Sequence, residues 1–371
     1  MAAIPTTCKA AAMVGPGKPM ELIDVRVPQE LEPGGILVKM SMASICATDV
    51  HAWEGSSSFA EDEYPSILGH EMTGRIARSE GRTHDSIGTP LREGDRIVWT
   101  HGFCGSCLNC IVEHERTLCL NRRRWHGSTE EFPYLTGGFA EYGYVFPTSG
   151  CVRVPDDVPD EVAAAVSCAL RTVIHGLDRV GELDDRHRVV IQGSGPLGLF
   201  TLARVVTGGP PDPIVIGGPA RRLELARKWG AGHTLDIDEA PDPAERHAQV
   251  MEWTDGLGAD VVIEVSGAKS AFPEGFEMLR RGGRYLVIGQ LHGETFPFAP
   301  SDIVRKHARI IGTASAAVQH YHRALEFVRR HRERFDWMEM ISNHYPLERI
   351  NEAMVGMQRW EEIKPAITFP D

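Results

Sequence analysis

Four cysteines crowd into sixteen residues as Cys104-x2-Cys107-x2-Cys110-x8-Cys119. That spacing lets four thiolates close a tetrahedral Zn²⁺ site with no position left for a substrate. Four reduced thiols are the plain alternative, and the spacing disfavours it. A closed site of this kind is structural and leaves the reaction open. A second signal is Gly193-Ser194-Gly195-Pro196-Leu197-Gly198. It follows a predicted strand, Arg188–Ile191, and opens a predicted helix, the context in which such a turn binds a dinucleotide. The first glycine permits the tight turn and the second lets backbone approach a pyrophosphate. The third lets helix and strand pack closely, and the helix N-terminus faces the phosphates. The next strand runs into Gly217-Gly218-Pro219-Ala220-Arg221-Arg222, where no carboxylate is present to repel a 2′-phosphate. This permits NADP as well as NAD; the two arginines equally read as solvated first-turn residues. A second metal-capable set is Cys46-Ala47-Thr48-Asp49-Val50-His51 with Gly69-His70-Glu71. Alone, His70 is equally a satisfied core histidine and Cys46 a small buried hydrophobe. With a further thiolate, such as Cys168, and one open position, they would make a catalytic zinc.

These groups need elements to hold them. Residues 1–155 read as β-rich, with short alternating runs such as Ile36–Met40 and Arg96–Trp99 between Gly, Pro and Asp turns. Glu161–Val166 opens an Ala-rich helix. From about residue 187 strands alternate with helices: Arg188–Ile191, Pro213–Ile216, Asp260–Val265 and Tyr285–Ile288, with Ile310-Ile311 as a short last strand. Alternation of this kind implies a parallel sheet with helices on both faces. The tail is polar and helical from about 320 and ends in a strand, Ala366–Phe369.

Composition excludes several partners. The 371 residues carry 51 acidic against 39 basic side chains, a net charge of −12, which argues against a nucleic-acid or anionic-membrane surface. No run approaches the roughly 20 apolar residues of a membrane span. Eight cysteines without a recognisable secretion signal suit a reducing, cytoplasmic setting better than a disulfide framework.

Together the residues point to a family. C-x-T-D-x-H at 46–51, GHE at 69–71, the four-cysteine lobe, Gly-Gly-Phe-Ala-Glu-Tyr at 137–142 and the GxGxxG turn resemble the zinc-dependent medium-chain alcohol dehydrogenases over the whole chain. The resemblance implies an α/β fold, a Rossmann doubly wound parallel sheet of six strands inserted in a β-rich, GroES-like catalytic domain. The catalytic zinc-binding domain would take residues 1–155 plus 321–371, and the dinucleotide-binding domain 156–320, with the active site in the cleft. Two zinc ions per chain are implied, one catalytic on Cys46, His70 and Cys168, one structural on Cys104, Cys107, Cys110 and Cys119. The last cysteine of the lobe comes one residue later than is usual. Glu71 would lie beside the catalytic metal, and Asp49 would accept from the His70 ring and fix its tautomer. The metal would lower the pKa of a substrate hydroxyl; Thr48 would take its proton, which would pass by the cofactor ribose to His51 and solvent. NAD or NADP would be bound by Thr172, Gly193, Gly195, Pro196, Leu197, Gly198, Gly217, Arg221, Arg222 and Lys364, with Lys364 on the pyrophosphate; a solvated surface lysine is its other reading. Trp53, Trp99 and Phe139 would line the substrate pocket. The loop 120–136 with its Arg122-Arg123-Arg124 has no placement in the resemblance; it reads as a solvated or interface stretch, or as a contact for an anionic substrate.

The implied activity is interconversion of an alcohol with its aldehyde or ketone. A polyol, amino alcohol or specialised metabolite on the same metal site is the alternative, and a non-catalytic NADP-binding relative is the reading of a different class. The intact ligand and relay set argues against the latter. A small-molecule substrate and a homodimer or homotetramer are implied.

Overall fold

The structure is a computed structural model that describes residues 3–55, 64–289 and 295–370. The chain divides into two compact units, one of Met1–Arg171, Ser315–Arg332 and Asp336–Asp371, the other of Thr172–Ala314 and Glu333–Phe335.

The first unit is built on two sheets. The larger has seven strands, ordered Ile341–Pro346, Lys364–Thr368, Ile36–Ser44, Glu71–Ser79, Arg96–Gly102 and Ser149–Arg153, with Tyr142–Val145 also pairing Ile36–Ser44. The smaller joins Glu21–Arg26, Thr7–Met13 and Ser66–Ile67. The central strand Ile36–Ser44 is buried along nearly its whole length, so its apolar residues are not confined to alternate positions. Its register sets the site: Ser44 pairs with Glu71 on one neighbour and with Ala366 on the other. Three segments far apart in sequence therefore end side by side. Residues 156–171 pack in this unit, where the helix Asp160–Ala165 passes into a π-helical turn at Val166–Leu170. Such a turn inserts one residue into the helical ladder and re-aims the side chains on it; these turns cluster at functional sites.

The second unit is a six-stranded, all-parallel sheet in the order His233–Asp236, Ile214–Gly217, Val189–Gln192, Ala259–Glu264, Leu279–Val287 and Arg309–Gly312. This is the doubly wound order 3-2-1-4-5-6, which reverses at the first strand of the fold. Ala259–Glu264 is buried throughout, as a strand covered on both faces must be. The strand His233–Asp236 lacks an apolar run and was not legible in the sequence; parallel pairing to Ile214–Gly217 makes it a strand. Glycine is required at two positions of the turn after Val189–Gln192. Gly193 adopts φ +125°, and a Cβ on Gly198 would lie 1.8 Å from the Gly193 carbonyl oxygen. Gly198→Ala must push the helix Pro196–Gly208 off its strand, so denaturant unfolding of this unit should show a loss of about 1–3 kcal/mol.

Candidate functional site

The short helix Ala47–Trp53 begins at Cys46 and carries Asp49 as its third residue. The Asp49 carboxylate is buried and turns back on the helix start: Oδ2 accepts from the Cys46 backbone N–H at 2.9 Å. Its other oxygen accepts from the Gly69 N–H and lies 3.1 Å from His70 Nδ1. One carboxylate thus ties together the two segments that carry Cys46 and His70. Because the carboxylate only accepts, the His70 ring donates from Nδ1 and keeps its lone pair on Nε2. Burial opposes the charge on Asp49, but the His70 ring and the other bonds outweigh it and hold its carboxyl below the ordinary value. The same pairing, against burial, lifts His70 well above its own.

The π-helical turn contributes Cys168. Ligand atoms of Cys46, His70, Glu71 and Cys168 lie within 4.8 Å of one another. This donor set fits a divalent cation. The Cys46 thiol is pushed up to about 12 by the neighbouring Cys168 sulfur and by burial, because two thiolates this close repel without a cation between them. Glu71 Oε1 is buried and accepts no hydrogen bond among the described residues. Two thiols, an imidazole and an oxygen with a lone pair to give are zinc ligands by type.

Glu71 Oε2 is fully engaged. It accepts from Ser44 Oγ at 2.6 Å and from Lys364 Nζ at 2.5 Å. Burial pushes the Glu71 carboxyl up to about 7 against the pull of Lys364. Burial disfavours the Lys364 ammonium, but Glu71 outweighs it and holds Lys364 above its ordinary value. This corrects the expectation that Lys364 meets a pyrophosphate. The side chain is 1% exposed and committed to a buried carboxylate, because the strand Lys364–Thr368 runs beside Ile36–Ser44 and turns the lysine inward.

On the other side of the helix, Thr48 is exposed and lies 3.7 Å from Cys46 Sγ, while His51 is partly exposed with Nδ1 3.7 Å from Glu54. Trp99 and Phe139 are corrected as pocket walls: both are buried in the β core, and Phe139 packs directly on Gly69. Trp53 instead donates its indole N–H to the Lys18 carbonyl.

The four-cysteine lobe is a separate cluster whose ligand atoms also lie within 4.8 Å of one another. Backbone N–H groups of Cys104 and Ser106 donate to Cys119 and Cys104 sulfurs at 3.2 and 3.5 Å, the pattern that stabilises thiolate. The Ser106 N–H is the main reason Cys104 is lowered to about 5. Burial and its neighbouring thiols raise Cys110 to about 12. Leu108, Ile111, Val112, Leu118 and Leu120 are all exposed, so this lobe has no apolar core of its own and the sulfur cluster must hold it.

In the second unit Gly195 starts the helix Pro196–Gly208, with proline at its first position. Ser194 and Gly218 bond both ways at 3.0 Å, Ser194 Oγ donating to the carbonyl and accepting from the N–H, which leaves no room for a side chain at Gly217. Arg222 is buried near Gly195, Arg221 is exposed, and Thr172 is buried.

Residues 32–156 match the alcohol dehydrogenase GroES-like domain, and residues 196–330 match the zinc-binding dehydrogenase family. The chain belongs to the zinc-binding medium-chain alcohol dehydrogenases. It is similar to a 5-exo-hydroxycamphor dehydrogenase of Pseudomonas putida, 33% identical over 90% of this chain and 92% of that one. An L-threonine 3-dehydrogenase of Thermococcus kodakarensis is 33% identical over 72% and 71%. The solved structure of a Thermotoga maritima alcohol dehydrogenase superposes with a TM-score of 0.89 at 31% identity, covering 98% of this chain and all of that one. As a member of the family it is an NAD(P)-dependent oxidoreductase that interconverts an alcohol and its aldehyde or ketone.

Sequence reasoning missed the segment that flanks the first cluster. His126, at φ +66°, lies with ligand-type atoms of Asp49 and His70 within 4.8 Å, and His101 stacks on Trp125 nearby. Only the run of three arginines flagged this stretch. Lys364→Met offers a direct check on the buried pair. It should cost about 3–5 kcal/mol in urea unfolding, because Glu71 would be left without its ammonium. Weakened NADH binding at unchanged stability would instead return Lys364 to the pyrophosphate.

Proposed function

We propose that the first unit is the catalytic one and that Cys46, His70 and Cys168 hold a catalytic zinc, with Glu71 beside it, while Cys104, Cys107, Cys110 and Cys119 hold a structural zinc. The observation that carries this reading is the convergence of two thiols, an imidazole and a carboxylate, one of whose oxygens has no hydrogen bond, in one partly buried cluster. When bound there, zinc supplies Lewis acidity that makes a hydroxyl acidic near neutral pH, or polarises a carbonyl. A nicotinamide cofactor supplies the hydride acceptor or donor.

The chain's own groups do the rest. Asp49 fixes the His70 tautomer and anchors Cys46, so two ligands are oriented by one carboxylate. Lys364 and Ser44 occupy Oε2 of Glu71 and keep that side chain in place beside the cluster. Thr48, next to Cys46 and open to solvent, relays the substrate's hydroxyl proton, accepting it as its own hydroxyl proton passes by the cofactor ribose toward His51. His51, one turn further on, exchanges a proton with water; an imidazole suits that step near pH 7.

The second unit binds the dinucleotide with Gly193, Gly195, Pro196, Leu197 and Gly198 at the phosphates, where the helix N-terminus favours negative charge. Thr172 meets the nicotinamide end, and Gly217, Arg221 and Arg222 the adenosine end. Basic residues in the first turn of the helix Ala220–Lys228 are unfavourable to its dipole unless an anion lies there. They therefore suit the 2′-phosphate of NADP. The substrate class remains that of an alcohol or ketone, with the hydroxycamphor, threonine and sorbitol dehydrogenases among relatives marking polyols, amino alcohols and specialised alcohols as candidates. A homodimer or homotetramer and a cytoplasmic location are proposed with it. Arg309–Gly312, at the sheet edge and largely exposed, offers an edge for pairing, and the eight cysteines form no disulfide. No helix of the described residues is long and apolar enough to cross a membrane.

Two measurements test this. Elemental analysis should find about two zinc ions per chain, and Cys46→Ser should retain one, lose turnover and still bind NADPH; turnover that survives, or a single zinc in the wild type, refutes the catalytic assignment. Titration of cofactor fluorescence should give tighter binding for NADPH than for NADH, with Arg222→Ala closing the gap by about ten-fold. Equal affinities in the wild type would remove the 2′-phosphate role.

A further inference from the structure

The second unit buries a carboxylate, Glu264, that is 0% exposed. It is the last residue of the strand Ala259–Glu264, paired in register with Gln192 on one neighbour and Val287 on the other. The chain leaves the sheet beside it twice, at 265–267 and at 288–289, and the side chain holds both departures. Oε1 accepts from the Ser266 N–H at 2.8 Å, the Ser266 hydroxyl at 2.8 Å and the Gly267 N–H at 2.7 Å. Oε2 accepts from the Gly289 N–H at 3.1 Å. Burial raises the Glu264 carboxyl, and the donors of Gly267, Ser266 and Gly289 pull the other way. A buried carboxylate is costly unless its lone pairs are engaged, and here loop donors engage both oxygens.

The two loops meet backbone to backbone, and one of them meets the glycine turn in the same way. A Cβ on Gly289 would lie 2.4 Å from the Gly267 nitrogen, and one on Gly193 would lie 3.0 Å from the Ser266 nitrogen. Gly193, residues 265–267 and residues 288–289 therefore form one strip of backbone along the carboxyl ends of three adjacent parallel strands. Ile214–Gly217 flanks Val189–Gln192 on one side and Ala259–Glu264 flanks it on the other. The strand order reverses here, and in doubly wound sheets a dinucleotide lies across that crevice. With its phosphates at the helix Pro196–Gly208 and its adenosine end towards Gly217, the other half of the dinucleotide extends over the strip that Glu264 holds.

We propose that Glu264 is a positioning residue for the nicotinamide half of the cofactor: it locks 265–267 to 288–289 as the surface on which that half lies, without touching it. This rests on the dinucleotide reading of the second unit. A surface fixed in advance spares the ligand the cost of ordering it, so the gain appears as affinity for the half that lies there. Glutamine in its place isolates the bond that matters. The amide keeps an oxygen for the Ser266 and Gly267 donors but sets its own N–H groups against the Gly289 N–H, which separates the two loops.

The test is calorimetric titration of the full chain with each dinucleotide and with its adenosine half: NADPH against 2′,5′-ADP, and NADH against ADP. Glu264→Gln should weaken the tighter-bound dinucleotide by about ten-fold and leave its adenosine half within about two-fold. Ser266→Ala, which removes one donor from Oε1, should weaken the dinucleotide by about three-fold with the same split. Equal weakening of dinucleotide and half overturns the proposal, by making Glu264 a support of the whole unit. Unchanged dinucleotide affinity in Glu264→Gln overturns it too. If Glu264→Gln does not fold, Ser266→Ala decides, and a dinucleotide affinity equal to that of the wild type overturns the proposal. If neither dinucleotide binds the wild type, the dinucleotide reading itself fails and takes this inference with it.

Discussion

The first unit depends on the placement of one buried carboxylate, Asp49. It caps the start of its own helix through the Cys46 N–H, crosses to the Gly69 N–H, and holds the His70 ring. Burying an ionised carboxylate is costly unless every lone pair is engaged, and here the engaging groups are the two segments that bring metal ligands. The cost of the buried charge and the order of the site are therefore one interaction. Were the carboxylate lost, the Cys46 and Gly69 N–H groups would be left unpaired, and the His70 tautomer unset.

Around that anchor, charges are paired in layers. Glu71 gives one oxygen to Ser44 and Lys364 and leaves the other buried without a hydrogen bond among the described residues. Lys364 thus belongs to the cluster's support and not to the cofactor, because sheet register carries it to a carboxylate 293 residues away. The next layer out is different in kind. Arg123 is satisfied by Glu32, whereas Arg122 and Arg171 have no carboxylate partner among the described residues.

The two zinc-type clusters also differ in what they hold. The lobe has exposed aliphatic residues and no core, so its sulfurs stand in for one. The Cys46 cluster sits where strand ends, a short helix and a π-helical turn meet, and hydrogen bonds from Asp49, Ser44 and Lys364 hold its members in place. A structural metal belongs where packing is thin; a reactive one is held in place by what is already rigid.

Much was legible in the sequence because it is written in short spacings. The lobe cysteines, the glycine turn between strand and helix, and five of the six parallel strands follow from local chemistry and periodicity. The strand His233–Asp236 was not, because its pattern is polar and only pairing with its neighbour makes it a strand. The types of the ligands, their motifs and the family they resemble were likewise fixed by residues close together along the chain. What tertiary structure alone decided is which distant residues meet: Cys46 with His70 and Cys168, Glu71 with Lys364, and His126 with Asp49 and His70. Strand register and a helical irregularity set those meetings, and both arise from hydrogen bonding between segments whose separation the sequence does not encode.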